Sequence, residues 1–220
     1  LEILVEDHPA SARLRHVLVR GDERIELVFG GKVPHDLKSG MRLRAKGRRD
    51  GSTLALASGD TAALTVTAAA TGAPTTGEFQ TLVLLVNFTD DRSQPFDTAT
   101  ARSVVFDQVG GFLRENSHGK TWLGGGVHPD WLELPIAKTC DVSAITASAT
   151  QAAAARGVDV RIYDRVIHAF PQNSVCGWGG MASLGGPSPG IWLNGWMTLQ
   201  VVAHEFGHTL GLYHAHSLDC

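Results

Sequence analysis

Residues 81–88 read Thr-Leu-Val-Leu-Leu-Val-Asn-Phe, and this run decides the fold. Apolar side chains follow one another without alternation until Thr89-Asp90-Asp91, the pattern of a strand covered on both faces. Such a strand needs helices to cover it, and the sequence supplies them downstream. Residues 98–115 set Ala101, Val104, Val105, Val109, Phe112 and Leu113 at helical spacing. Residues 143–156 are alanine-rich and closed by Gly157. A strand is expected over 161–170, ending before Pro171, and a short one over 191–193 beyond the glycine-rich stretch 177–190. A last helix is expected from about 196 to 210. Strand, helix, strands and helix make residues 79–220 an α/β domain.

Upstream the composition changes. Residues 61–78 are rich in Thr, Ala and Gly and lack large side chains after Val66, as an exposed linker would, and 71–78 mark the boundary. Residues 1–70 read as short strands. Arg15–Arg20, Arg24–Phe29, Met41–Lys46 and Ser52–Ala57 suit strands, and Asp50-Gly51 is a hairpin turn between the last two. A small all-β domain of the OB-like barrel type is expected there. Its basic cluster, Arg42, Arg44, Lys46, Arg48 and Arg49, would suit nucleic acid. Phe29, however, is the only aromatic in the region, so base stacking lacks a platform and a solvated strand face is expected.

Composition narrows the function classes. Lys+Arg 19 against Asp+Glu 22 leaves a charge of −3, too small a field to recruit nucleic acid or an anionic membrane surface. No apolar run approaches the length of a membrane span. The cysteines Cys140, Cys176 and Cys220 have no CxxC spacing; a Cys140–Cys176 disulfide is expected, with Cys220 pairing elsewhere.

The chemistry concentrates in His204-Glu205-Phe206-Gly207-His208-Thr209-Leu210-Gly211-Leu212-Tyr213-His214, or HExxHxxGxxH. His204 and His208, four apart on a helix, share one face and can reach one metal ion. Glu205 lies beside them, too far round to be an equivalent ligand but placed to hold a water. Gly211 sits where the helix must stop in a left-handed turn, which returns His214 as a third nitrogen. Three imidazoles with an open position describe a catalytic Zn2+ site. Composition alone yields this pattern about once in 10⁴ such chains.

The motif resembles the elongated zinc signature of the metzincin metallopeptidases, and HEFGHTLGLYHAHSLDC is most similar to the gametolysin-type enzymes. TLVLLVNFTD, FLRENSHGKTWLGGGV and YDRVIHAFP follow that family's catalytic-domain order. The resemblance implies a metzincin-like α/β (α+β) fold over residues 79–220, with a mixed twisted sheet and an active-site helix. It also implies a secreted zinc endopeptidase in which His204, His208 and His214 bind the ion and Glu205 is the general base. Metzincins carry a Met-containing turn after the third histidine; Met181 and Met197 lie upstream, so truncation before that turn is expected.

Around the metal, Gly179, Gly180, Met181, Ala182 and Ser183 are expected to form an unpaired edge strand that takes an extended polypeptide by strand addition. Trp192 and Trp196 are expected in the core, Tyr213 packed under the site, and His118, His128 and His168 in structural roles. His216 is expected at the surface or behind the ligands. Asp90 and Asp91 suit either a structural Ca2+ or a turn. The N-terminal region reads as a propeptide or docking module, and the lack of cysteine there excludes a cysteine-to-zinc latency switch. Asp7, His8, His35 and Asp36 are able to cap a metal in principle, though the sequence favours none of them. A monomer is expected, and the competing reading is a zinc-bearing binding or adhesion module without turnover.

Overall fold

The computed structural model describes residues 1–21, 23–57, 63–70 and 74–214 of the chain. Its centre is β8 (Gly77–Phe88), fully buried from Leu82 to Phe88. The side chains of β8 divide by parity, which explains the unbroken apolar run. Leu82, Leu84, Val86 and Phe88 face α3 (Val142–Ala155), meeting Val142, Ile145, Ala149 and Ala153. Phe79, Val83 and Leu85 face the other layer. That layer holds the helical run 98–116 and α4 (Leu199–Thr209), which contribute Val105, Val109, Val202 and Phe206.

The helical run comprises α1 (Thr98–Arg102), a π-helical turn Ser103–Val109 and α2 (Gly110–Asn116). Asp97 caps its start, accepting from Thr100 N. Asp141 caps α3 in the same way through Ser143 N and Ala144 N.

On one side β8 pairs in parallel with β9 (Thr121–Val127) and β10 (Leu132–Leu134). Neither strand was apparent in the sequence: β9 reads TWLGGGV, and its glycines carry no hydrophobic pattern. On the other side lie β11 (Arg165–Phe170) and β13 (Gly190–Asn194), both parallel, followed by antiparallel β12 (Gly180–Ser183). The strand expected from residue 161 begins at Arg165, because Val160–Ile162 form a 3-10 turn capped by Asp159.

The sheet continues past β12. Antiparallel to it runs β1 (Glu2–His8), in register Leu4 with Ser183, Val5 with Ala182, Glu6 with Met181 and Asp7 with Gly180. Then follow β2 (Ser11–Arg20), β3 (Glu23–Phe29), β6 (Thr53–Leu56) and β5 (Arg48–Asp50). β4 (Arg42–Ala45) and β7 (Leu64–Ala68) form a separate two-stranded ladder. Leu43 and Leu64 of that ladder pack over Ile3 and Val5.

Where a small OB-like barrel domain was expected over 1–70, the described strands form an open ladder continuous with the downstream sheet, with β4–β7 laid over it. The physical reason is β1. Leu4 joins the core shared with β8, whereas Ile3 and Val5 join the core under β4 and β7, so both faces of β1 are buried. The basic residues Arg42, Arg44, Lys46, Arg48 and Arg49 are exposed, and Arg49 pairs with Glu23. Cys140 and Cys176 are joined by a disulfide that ties the start of α3 to the segment before β12. His216 and Cys220 lie outside the described residues. No helix among the described residues is long and apolar enough to cross a membrane.

Candidate metal centre

α4 starts at Thr198, whose side chain accepts from Val201 N, and buries Val202 and Phe206 against the sheet. That packing fixes the opposite face, where His204 and His208 project one turn apart with ring centroids separated by 4.7 Å. The helix ends in a Schellman turn: Leu212 N donates to Gly207 O at 3.2 Å and Gly211 N to His208 O at 2.8 Å. Gly211 has φ +88°, a conformation that a side chain resists. The turn carries His214 back beside His204, their rings stacked with centroids 5.0 Å apart.

The three Nε2 atoms converge. His204 Nε2 lies 3.1 Å from His214 Nε2 and 3.2 Å from His208 Nε2. Tetrahedral zinc, with bonds of about 2.0–2.1 Å, sets its ligands roughly 3.3 Å apart, so the donors fit that ion closely. The tautomer of His208 agrees. Its Nδ1 donates to Leu212 O at 2.7 Å, which leaves Nε2 with a lone pair directed into the cluster.

A fourth group reaches the same point. Asp7, on β1, places Oδ1 2.7 Å from His214 Nε2 and Oδ2 3.1 Å from His208 Nε2 and 3.2 Å from His204 Nε2. Among the described residues Asp7, His204, His208 and His214 form a cluster able to hold a metal ion. Lone pairs on three imidazoles and a carboxylate repel one another unless a positive charge lies between them. The donor set therefore fits a divalent cation.

Glu205 is 1% exposed and lies beside this cluster. Burial, joined by the neighbouring Asp7 charge, pushes its carboxyl up to about 10. A divalent ion at the histidines acts in the opposite sense. Its Oε2 has no hydrogen-bond partner among the protein groups, an orphaned acceptor of the kind that holds a water in a metal site. Burial alone would raise Asp7 as well, but when the imidazoles carry protons on Nε2, hydrogen bonds and charge from His204 and His208 outweigh it and hold Asp7 well below the usual carboxylate range. His204 is correspondingly raised by its hydrogen bond to Asp7, against burial.

The glycine-rich stretch contributes β12, and Gly180 packs directly on Glu205. A Cβ at Gly180 would collide with the carboxylate, so this glycine sets where Glu205 can sit. The expectation of an unpaired edge at Gly180, Met181, Ala182 and Ser183 needs correction, because β1 is hydrogen-bonded along it. Gly179 N donates to Asp7 O at 3.1 Å and Leu184 N to Ile3 O at 2.7 Å, extending the ladder at both ends. Ser183 Oγ donates to the Glu2 carboxylate at 2.7 Å.

Beside the metal cluster lies a cavity of about 650 Å³ lined by His8, Trp178, Gly179, Trp196, Val201 and Glu205, among others. Trp196, expected in the core, stands 49% exposed at this cavity, whereas Trp192 is buried and donates to Thr146 Oγ1. Tyr213 is exposed and does not pack under the site. His168 is buried and stacked on Trp192, and His128 is buried with Nδ1 accepting from Asp130 N. His118 is an exposed turn residue at φ 53°.

At the suggested calcium position the carboxylates are already engaged. Asp91 pairs with Lys138 Nζ at 2.6 Å and accepts from Ser93, and Asp90 accepts from Lys138 N. This is turn chemistry.

The sequence named Asp7 only as one of four residues able to cap a metal and gave no reason to prefer it, yet it is the one that joins the cluster. A single aspartate carries no spacing pattern, and its neighbours in space come from residues 180 and 204–214. The profile of the gametolysin peptidase M11 family matches residues 122–218, a stretch that contains β12, α4 and all three histidines but not β1. The chain matched none of the curated proteins.

Proposed function

We propose, from the premise that residues 122–218 are those of a gametolysin-like metallopeptidase, that the chain is a secreted zinc endopeptidase acting on extended polypeptides of extracellular or cell-wall proteins. The observation that carries this reading is the convergence of His204, His208 and His214 beside the orphaned carboxylate of Glu205. Zinc, when bound there, lowers the pKa of a coordinated water toward about 7 and polarises a carbonyl.

The chain's own residues supply the rest. Glu205 Oε2 is free to accept the proton of the attacking water and to pass it to the leaving amine. Gly180 leaves room for that carboxylate, and the Leu212 carbonyl orients His208. With β1 displaced, β12 would offer main-chain partners to an extended substrate running antiparallel to it, the polarity in which β1 lies. The apolar walls of Trp178, Trp196 and Val201 beside the metal suit a large hydrophobic side chain.

The test is long-incubation hydrolysis of denatured casein by the zinc-loaded chain, read by mass spectrometry. Cleavage that stops with a chelator, and that falls about 10²–10⁴-fold in Glu205→Gln while zinc stays bound, is the expected result. Cleavage that survives chelation, or an unaffected Glu205→Gln, contradicts it.

A further inference from the structure

We infer that Asp7 is a fourth protein ligand of the metal centre and that β1 is a built-in occupant of the substrate strand position, holding the site closed. This rests on the metallopeptidase reading above and adds to it a state of the site and the residue that imposes it.

Three independent features place Asp7 there. Its carboxylate oxygens lie 2.7–3.2 Å from all three Nε2 atoms, a geometry that a surface aspartate does not reach by chance. Its side chain is 17% exposed and borders the buried Glu205, so two carboxylates sit side by side, an arrangement that a bound cation or a shared proton must reconcile. Its backbone is fixed, because Asp7 is paired with Gly180 and its carbonyl accepts from Gly179 N.

The remainder of β1 is anchored on both sides of that point. Glu6 is buried and takes Arg15 Nη1 at 3.1 Å, while Arg15 also binds Glu26 on β3. Glu2 is held by Ser183 and Arg24, and His8 Nδ1 donates to Gly177 O at 2.9 Å. Ile3, Leu4 and Val5 are at most 2% exposed. A site closed by a fourth protein ligand is structural in character, whereas a catalytic one keeps that position for water. Asp7 stands where the water and the substrate carbonyl must be, and β1 takes the main-chain partners of β12 that the substrate needs. Removing the Asp7 carboxylate opens the first; displacing β1 opens the second.

The experiment uses the full chain loaded with cobalt(II), whose visible absorption reports coordination, and acetohydroxamate as the probe of an open position. Wild type, Asp7→Asn, Asp7→Ala and Glu6→Gln are compared; Glu6→Gln alters β1 at a side chain that pairs with Arg15 and His8 and not with His204, His208 or His214. The expected result is no spectral response to acetohydroxamate in wild type and Glu6→Gln. Both Asp7 variants respond saturably at concentrations at least tenfold lower than any wild-type response. Zinc competition against a chelator then shows at least tenfold weaker retention in the Asp7 variants.

Identical spectra, identical zinc retention and identical acetohydroxamate affinity in wild type and Asp7→Asn would overturn the inference while leaving the three-histidine centre intact. Failure of every form to take up cobalt or zinc would overturn the metal reading itself, and this inference with it.

Discussion

The two flanks of the long sheet are built on different physics. From β8 to β13 the strands run parallel, are covered by helices on both faces and bury continuous apolar runs such as Leu82–Phe88. From β1 outward the pairing is mainly antiparallel, and charged ladders tie the strands: Arg13 and Arg15 to Glu26, Arg24 to Glu2, Arg20 and Arg49 to Glu23. Burial of apolar area holds the first flank and is insensitive to salt, whereas partly exposed ion pairs contribute little and are screened. The two meet at β12–β1, where the candidate centre lies. What the comparison teaches is that the seam strand β1 belongs to both kinds of flank, buried on both faces by apolar packing and tied at its edges by ion pairs.

The sharpest way to break that contrast is the disulfide of the helix-covered flank. Cys140 and Cys176 are 36 residues apart, and losing a cross-link of that loop length costs about 4 kcal/mol in the chain-entropy picture. A Cys140→Ser/Cys176→Ser double variant should therefore unfold at markedly lower urea, followed by tryptophan fluorescence. All five tryptophans lie at or beyond residue 122, so the probe reports this flank specifically. An unchanged midpoint would mean that packing alone fixes the segment before β12.

Acid should weaken the same flank next. His168 is buried, and burial lowers its pKa from 6.5 to about 4. The unfolded chain thus takes up the proton first. The stability His168 permits is complete above pH 6.5 and declines as the pH falls toward 4, by about 3 kcal/mol at full effect. The slope of stability against pH between 6.5 and 5 should flatten in His168→Phe. If the slope stays the same, the effect belongs to other groups.

How much of this was visible in the sequence depends on the range of the contacts involved. The strand at 81–88, the helix ending at Gly211 and the three histidines were legible because each is a local pattern: both-face burial, helical spacing, a left-handed stop. β1 was not. Ile3, Leu4 and Val5 are a short apolar run between Glu2 and Glu6, and the partner strand lies about 180 residues away, so nothing local assigns the pairing. Asp7 was one of four candidate caps for the same reason. β9 hid behind its glycines, and Trp196 shows that a large aromatic near a site can line a cavity where a core position was expected.

At the seam itself the expected effect is about 10²-fold on rate. Gly180→Ala would push a methyl group into the Glu205 carboxylate, displacing the base without touching a histidine. Zinc content should remain at the wild-type level while hydrolysis falls; equal hydrolysis would show that Glu205 has more freedom than the packing indicates. Smallest of all, Arg13→Ala on the charged flank should change stability by less than about 1 kcal/mol, since Arg13 is 64% exposed where it meets Glu26. Hydrogen exchange of the β2–β3 amides measures it, and a larger loss would erase the difference between the flanks.

The central claim is that three imidazoles of one helix–turn unit converge on a single divalent ion. Zinc K-edge absorption on the full chain titrated with one equivalent of zinc tests it most directly. The account predicts three imidazole nitrogens and one carboxylate oxygen at about 2.0–2.1 Å, with the carboxylate replaced by solvent in Asp7→Ala. A shell containing sulfur, fewer than three imidazoles, or no stoichiometric uptake would contradict it.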